Sequence, residues 1–330
     1  MVTYIGYFFF ISEAMCRMGS PTCCATETIQ KTIMGDISSK QPTSIVKHIR
    51  FLVHSYICKA FPNRDKKIWL LVAVVSTFGN FKRRKVIKET WGSALQDNAP
   101  GHVCLIFVVG KQNQSNLSHR KQFLNEIHHY GDVTQINKDE TYLNLVHKSI
   151  GILKWANFFV PSVKFILKID DDVVLNPSNL YYRLLMHSYQ SRFIMGYVGR
   201  GATPQRVKTK ENYLPYNYYS GNVLPNYIFG PSYVISGDLI RDLLTVIPKI
   251  PLLHIEDIFI TAISASYTEA VHIGRCGFIY PKSQNVEEFR WGTSFVSSHS
   301  YQSAELSSVW KYARIQSHHL SYSALFLQQL

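Results

Sequence analysis

The sequence predicts an α/β domain built on a largely parallel sheet with helices on its faces. Two observations carry this. IWLLVAVVST (68–77), VCLIFVVG (103–110) and VKFILKI (163–169) are short, continuous apolar runs rich in β-branched residues. Such runs suit strands buried on both faces. Stretches with helical spacing separate them, and strands alternating with helices of roughly 10–20 residues form βαβ units.

The elements follow in order. Residues 1–66 read as a leader or stem, poorly structured, since 19–44 is polar and lacks sustained periodicity. An apolar run at 4–11 falls short of the roughly 20 residues of a spanning helix and has no basic residues ahead of it. It suits either a weak membrane anchor or an apolar terminus. The folded domain is expected over 67–315. Within it, residues 80–95 carry Val86, Ile87, Thr90 and Trp91 at helical spacing with basic residues opposite. Amphipathic helices are expected over 118–131 and 141–159. Residues 199–236, rich in Tyr, Pro and Gly, read as long ordered loops. A helix over 237–247, an apolar segment over 252–266 and a strand over 270–280 follow. A tail completes the chain at 316–330.

The formal net charge of +13 suits a polyanionic partner: nucleic acid, an anionic membrane or a phosphorylated small molecule. No zinc-finger, zipper or RNP-like motif accompanies it, so nucleic acid is not expected. The six cysteines, Cys16, Cys23, Cys24, Cys58, Cys104 and Cys276, lack zinc-ribbon spacing and permit an oxidising compartment. Asn113 and Asn116 begin N-glycosylation sequons, a pointer to a secretory lumen.

Four motifs carry chemistry. FILKIDDDVVLNP (165–177) places Asp170, Asp171 and Asp172 at a strand end between apolar runs. Adjacent carboxylates there repel by roughly 1–4 kcal/mol per pair, and a divalent cation with hard oxygen ligands turns that repulsion into attraction. HIEDIFI (254–260) sets Glu256 and Asp257 among apolar residues, suiting either a helix N-terminus or a general base. RRKVIKETWG (83–92) suits either a solvated basic face or a diphosphate cradle. SSHSYQSAELSSVW (297–310) contains His299, a residue type more often structural than ligating. The serine-hydrolase, zinc-protease, P-loop and dinucleotide fingerprints are absent.

Together these segments resemble the β-1,3-galactosyltransferase and β-1,3-N-acetylglucosaminyltransferase family over about residues 68–313. Arg84, Ile87, Thr90 and Trp91 match its R-x-x-I-R-x-T-W. ETYLNLVHKS, LKIDDDVVLN, LPNYIFGPSYVIS, EDIFIT and the His299 segment follow in the family's order. Lys88 stands where the family has Arg, Thr261 where it has Gly, and Ser303 where it has Pro.

The resemblance implies a GT-A fold, Mn²⁺, and a UDP-galactose or UDP-N-acetylglucosamine donor, with galactose ahead. It implies Asp172 and His299 as metal ligands, and Arg84, Lys88, Asp170 and Asp171 on the nucleotide sugar. Asp257 would be the catalytic base, with Tyr227, Gly230 and Glu256 beside the acceptor. The reaction implied is inverting transfer to a 3-hydroxyl of a glycan on glycoprotein or glycolipid, in protein glycosylation. The setting implied is the Golgi membrane, in type II topology with a lumenal domain. The alternatives are a catalytically silent, lectin-like relative and a basic nucleic-acid-binding protein.

Overall fold

The computed structural model describes residues 25–29, 45–59, 67–97, 99–112, 117–274, 277–279 and 295–317. Among these the strands are β1 (Ala25–Thr28), β2 (Phe51–Val53), β3 (Ile68–Val75), β4 (His102–Lys111), β5 (Val133–Asp139), β6 (Phe165–Asp170), β7 (Val174–Leu175), β8 (Phe193–Gly199), β9 (Tyr227–Ser236), β10 (Val271–Gly274), β11 (Phe278–Ile279) and β12 (Ser297–Ser298). The helices are α1 (Ile45–His48), α2 (Phe81–Glu89), α3 (Leu117–Tyr130), α4 (Leu145–Phe159), α5 (Pro177–Met186), α6 (Ile240–Val246) and α7 (Ser303–Ser317).

Nine strands form the main sheet in the order β1-β10-β8-β9-β6-β3-β4-β5-β2. β10, β8, β6, β3, β4 and β5 run in one direction and β1, β9 and β2 in the other. The predicted α/β class with a mostly parallel sheet is the observed one. Along β3 the side chains alternate between two cores, as the two-residue period of a strand requires. Leu70, Val72 and Val74 pack on one face with Ile87, Trp91 and Phe123. Leu71, Ala73 and Val75 pack on the other with Ile150, Leu153 and Trp155. Both faces are therefore apolar, which is why the run shows no polar alternation.

The connections fix where a ligand can sit. From β3 the chain steps outward to β4 and β5, then returns across the sheet to β6 on the other side of β3. α2 and α3 cover one face and α4 the opposite one. The strand order thus reverses between β3 and β6, and in open α/β sheets ligands bind in the crevice outside the carboxyl ends at that point. Asp170 pairs with Val75 there, so the three aspartates stand at its mouth.

The segment read as leader differs from expectation. β1 pairs antiparallel with β10, and β2 antiparallel with β5, so both sheet edges come from residues before Lys67. α1 is held by Lys154, whose Nζ donates to Val46 O at 3.0 Å and Ile49 O at 2.6 Å. Strands of four and three residues are too short to show periodicity, and their neighbours across the sheet stabilise them. The apolar run at 4–11, Asn113, Asn116 and residues 318–330 lie outside the described residues. No helix of the described residues is long and apolar enough to cross a membrane.

Cys58 and Cys104 form a disulfide, with Cα atoms 5.7 Å apart and a sequence separation of 46. It ties the turn after β2 to β4. Closing a loop of that length stabilises the fold by up to about 4 kcal/mol in the chain-entropy account. Reduction, or Cys58→Ala with Cys104→Ala, is expected to lower the unfolding free energy by about 2–4 kcal/mol in urea titrations.

Candidate active site

The site is built on the loop that leaves β3. Ser76 Oγ, Asn80 Nδ2 and Arg83 Nη1 donate to the buried Asp171 carboxylate at 2.6, 2.8 and 2.8 Å. Lys148 Nζ, from α4, donates to Ser76 O at 2.8 Å and to Glu140 Oε2 at 2.5 Å. Glu140 Oε1 accepts from the N–H groups of Gly110 and Phe78 at 2.5 and 3.0 Å. Carboxyl ends of β3, β4, β5 and β6 are thereby laced together by buried, satisfied polar groups.

The three aspartates point to three different partners. Asp171 turns toward α2, as above. Asp170, on the opposite face of the strand, accepts from Lys168 Nζ at 2.7 Å. Lys168 is only 6% exposed, and its ammonium also donates to Gly230 O at 2.5 Å and lies 3.6 Å from Glu256 Oε2. Tyr233 donates its hydroxyl proton to Glu256 Oε1 at 2.5 Å. Burial pushes the Asp170 carboxyl up to about 7 against the pull of Lys168, with Asp172 and Glu256 adding to the rise.

Asp172 meets His299 through a second, small sheet. β12 pairs with β7, Ser298 opposite Val174, and Tyr301 N donates to Asp172 O at 3.0 Å. His299 then lies close enough to Asp172 for the imidazole to temper the upward push of burial and Asp171 on that carboxyl. Burial lowers His299 toward its neutral form, the form that ligates metals. Its Nδ1 is bonded to Ser300 Oγ at 2.7 Å, and Ser300 is held at φ 72°. An adjacent carboxylate and neutral imidazole are a donor set that a divalent ion such as Mn²⁺ accepts. Among the described residues no group of three His, Cys, Asp or Glu side chains gathers around one point. The pair leaves most coordination positions for ligand oxygens.

Asp257 sits across the crevice. Gly230 N donates to its Oδ2 at 3.0 Å and Ile258 N to its Oδ1 at 2.9 Å, leaving each oxygen a further lone pair. Burial first, then the Glu256 charge, raises its carboxyl to about 6. Thr261, in the π-helical turn Ile258–Ser264, donates to Asp257 O at 2.6 Å, while Ile228 N donates to Thr261 Oγ1 at 2.8 Å. His272 Nε2 lies 2.7 Å from Thr261 O. The threonine thus clamps the Asp257 backbone to β9.

β9 reaches Asp257 by a bulge. Gly196 is paired with Tyr233 and Val198 with Ile228, so four residues of β9 stand against one of β8. Gly230 and Pro231 lie in that excess, and the bend aims Gly230 at both Asp257 and Lys168. A Cβ on Gly230 would stand 3.3 Å from Asp257 Oδ2, so any larger residue there would push the Asp257 carboxylate by a few tenths of an ångström.

The sequence motifs are not all brought to the crevice. Asp170, Asp172, Asp257 and His299 gather at it, while Asp171 is buried behind them against α2. Arg84 and Lys88, expected on the nucleotide, instead face inward. The Arg84 side chain is fully buried and reaches Glu126 Oε2 at 2.7 Å, Phe78 O at 3.1 Å and Thr77 O at 2.5 Å. Lys88 binds Glu126 at 3.0 Å and Asp132 at 3.1 Å, with its ammonium 3.6 Å from the Tyr130 ring centre. Their acidic partners are 38–44 residues away in sequence, which is why the run reads as an open basic face. Glu256 is likewise turned toward Lys168 and Tyr233, and Tyr227 is buried against Phe229 at 5.0 Å. Ser76 and Asn80 are neighbours of the site that lie outside the motifs, while Arg83, Lys168 and Tyr233 lie within them and carried no role of their own. Arg84→Met is expected to cost about 3–5 kcal/mol of stability, because it leaves Glu126 with Lys88 alone and strips the Thr77 and Phe78 carbonyls of their donor. Wild-type donor KM in the fraction that folds would confirm the inward role.

Fold and site together define an α/β protein with a mostly parallel sheet and acidic groups at its switch point. A galactosyltransferase family model matches residues 82–274, more than half of the chain. The chain belongs to the galactosyltransferase family. It is 35% identical over 225 residues to rat UDP-GlcNAc:betaGal beta-1,3-N-acetylglucosaminyltransferase 7, covering 64% of this chain and 56% of that protein. It is 27% identical over 266 residues to human beta-1,3-galactosyltransferase 2, covering 77% and 61%. It is 33% identical over 187 residues to the Xenopus tropicalis lactosylceramide 1,3-N-acetyl-beta-D-glucosaminyltransferase, covering 54% and 49%. The chain therefore spans about half to three fifths of the length of these relatives.

Proposed function

We propose that the chain is an inverting β-1,3-glycosyltransferase that moves galactose or N-acetylglucosamine from a UDP-sugar to a 3-hydroxyl of a glycan on protein or lipid. The observation that carries this is Asp257: a carboxylate fixed by two backbone N–H groups, raised to about 6, facing an acidic strand end. A base tuned close to neutral pH balances being ionised against being basic enough to take a proton.

In this reading Asp257 accepts the proton of the acceptor 3-hydroxyl. The freed electron pair on that oxygen forms the bond to the anomeric carbon from the face opposite UDP. The anomeric C–O bond to the diphosphate breaks, and its pair leaves with UDP. Asp172 and His299 would hold Mn²⁺, which when bound supplies charge neutralisation at the diphosphate. Asp170 faces the donor sugar, while Asp171 orders Ser76, Asn80 and Arg83 beneath the nucleotide. Arg83, 25% exposed, takes the cationic role first expected of Arg84 and Lys88. Gly230 and Glu256 act from behind Asp257, and Tyr227 supports the strand that carries Gly230.

The reacting unit proposed is residues 67–315 together with the two edge strands. The proposed setting is the Golgi lumen with an N-terminal membrane anchor, as the family resemblance implies. The Cys58–Cys104 disulfide supports an oxidising compartment.

The test is UDP release and product mass over a panel of UDP-sugars and β-galactoside acceptors, with and without Mn²⁺. Turnover is expected with UDP-galactose or UDP-N-acetylglucosamine, and its loss with EDTA. Asp172→Asn is expected to weaken the apparent Mn²⁺ affinity by 10-fold or more. Glycan binding without UDP release from any donor would favour the lectin-like alternative instead.

A further inference from the structure

Beyond Asp257 lies a cleft of about 710 Å³ whose walls include Tyr142, Lys208, Lys210, Tyr213, Tyr218 and His254. Two of its lining residues, His254 and Tyr142, lie near the site. His254 stands three residues before Asp257 and is hydrogen-bonded to the Tyr213 backbone. Tyr142 feels the charges of Asp257, Glu211, Glu256 and Asp170, which with burial push its phenol up to about 12. The outer wall is an ordered loop. Arg206 donates to the carbonyls of Leu214, Tyr219 (3.0 Å) and Gly221 (2.8 Å), and its guanidinium stacks 3.8 Å above the Tyr216 ring.

The lining separates by chemistry. Tyrosine rings give flat apolar faces of the kind that stack on sugars. Outside the lining, Asp257, Glu256 and Asp170 stand near enough to Tyr142 for their charges to reach its ring, so an anionic ligand group would be repelled at that end. At the outer end Lys208 and Lys210 are exposed and make no ion pair among the described residues, and Glu211 is the one acid in the lining. Two unneutralised cations beside stacking surfaces, beyond an acidic centre, suit a saccharide that is neutral at its reacting end and negative further out.

We propose that this cleft is the acceptor's extension site and that it selects a glycan bearing a sulfate or carboxylate, held by Lys208 and Lys210. The inference rests on the glycosyltransferase reading for its link to turnover, but binding at the cleft is measurable alone.

The experiment uses the full chain with three probes that leave the galactose 3-hydroxyl free: lactose, 6′-sulfated lactose and 6′-sialyllactose. Calorimetric binding and, with donor present, kcat/KM are measured for wild type and the Lys208→Gln, Lys210→Gln double variant, after a thermal melt confirms folding. An anionic-over-neutral preference of roughly tenfold at low salt is expected, shrinking in 0.5 M NaCl. The double variant is expected to bring that ratio to about one. The two anionic arms distinguish sulfate from carboxylate as the favoured group. Equal binding of all three probes, or a preference that survives in the double variant, overturns the proposal. Selective binding without transfer from any donor sustains the cleft and sinks the glycosyltransferase reading.

Discussion

Asp257→Asn is expected to reduce transfer by roughly 10²–10⁴-fold, the usual worth of a positioned general base, while making the protein more stable. The two effects share one cause. In the folded state burial and Glu256 hold the Asp257 carboxyl near 6, against an ordinary 3.8. A raised folded value means that ionised Asp257 opposes folding. That penalty is fully present above pH 6 and vanishes as pH falls below the unfolded value. Asparagine removes it at the loss of one backbone hydrogen bond, so a gain of about 1–3 kcal/mol at pH 7.5 is expected. Urea unfolding at pH 7.5 and pH 4 checks the sign, since the gain should shrink in acid.

Lys168→Met is expected to cost about 3–5 kcal/mol, because it leaves Glu256 and Asp170 without their shared buried cation. Burial works against the ammonium, but Asp170 and then Glu256 overcome it and hold Lys168 well above the usual lysine range. The same cation helps keep Asp257 ionised. In the variant that folds, the acid limb of activity should therefore move to higher pH. It also loses its bond to Gly230 O, the residue whose N–H fixes Asp257. A stability loss with an unmoved limb would mean that Lys168 is structural alone.

The central sheet was legible because its strands are buried on both faces, so IWLLVAVV and VCLIFVV show no polar interruption and only Lys164 and Lys168 break VKFILKI. The acidic block was legible because its like charges are costly without a partner. β9 was not legible. Gly230 and Pro231 sit in mid-strand and read as loop, yet they form the bulge that aims Gly230 at Asp257. β5 was also hidden, since Gln135 and Asn137 break the apolar run. Asn137 Oδ1 accepts from Arg50 N at 2.8 Å, and Gln135 donates to Gly110 O at 3.1 Å, so these polar residues tie β5 to the chain entering β2 and to β4.

At the site, sequence order could name residues but not their direction. The basic run 82–88 places Arg83 and Arg84 side by side, and helical geometry sends them apart. Arg83 goes to Asp171 and Arg84 into the core beside Glu126. Lys168, two residues before the first aspartate, shares a strand face with Asp170 by the two-residue period. That spacing was the available signal for it. Thr261 replaces the small residue of the family pattern, and its hydroxyl joins Ile228 and Asp257, a pairing visible only once β9 lies alongside the π-helical turn.

The central claim, that Asp257 is the base of a single displacement, is tested most directly by the pH dependence of kcat/KM for the acceptor at saturating UDP-sugar and Mn²⁺. An acid limb with a midpoint near pH 6 is predicted for wild type, activity falling as pH drops through it, and near-complete loss in Asp257→Asn at every pH. A wild-type profile flat to pH 5, or an Asp257→Asn variant that turns over at the wild-type rate, would contradict it.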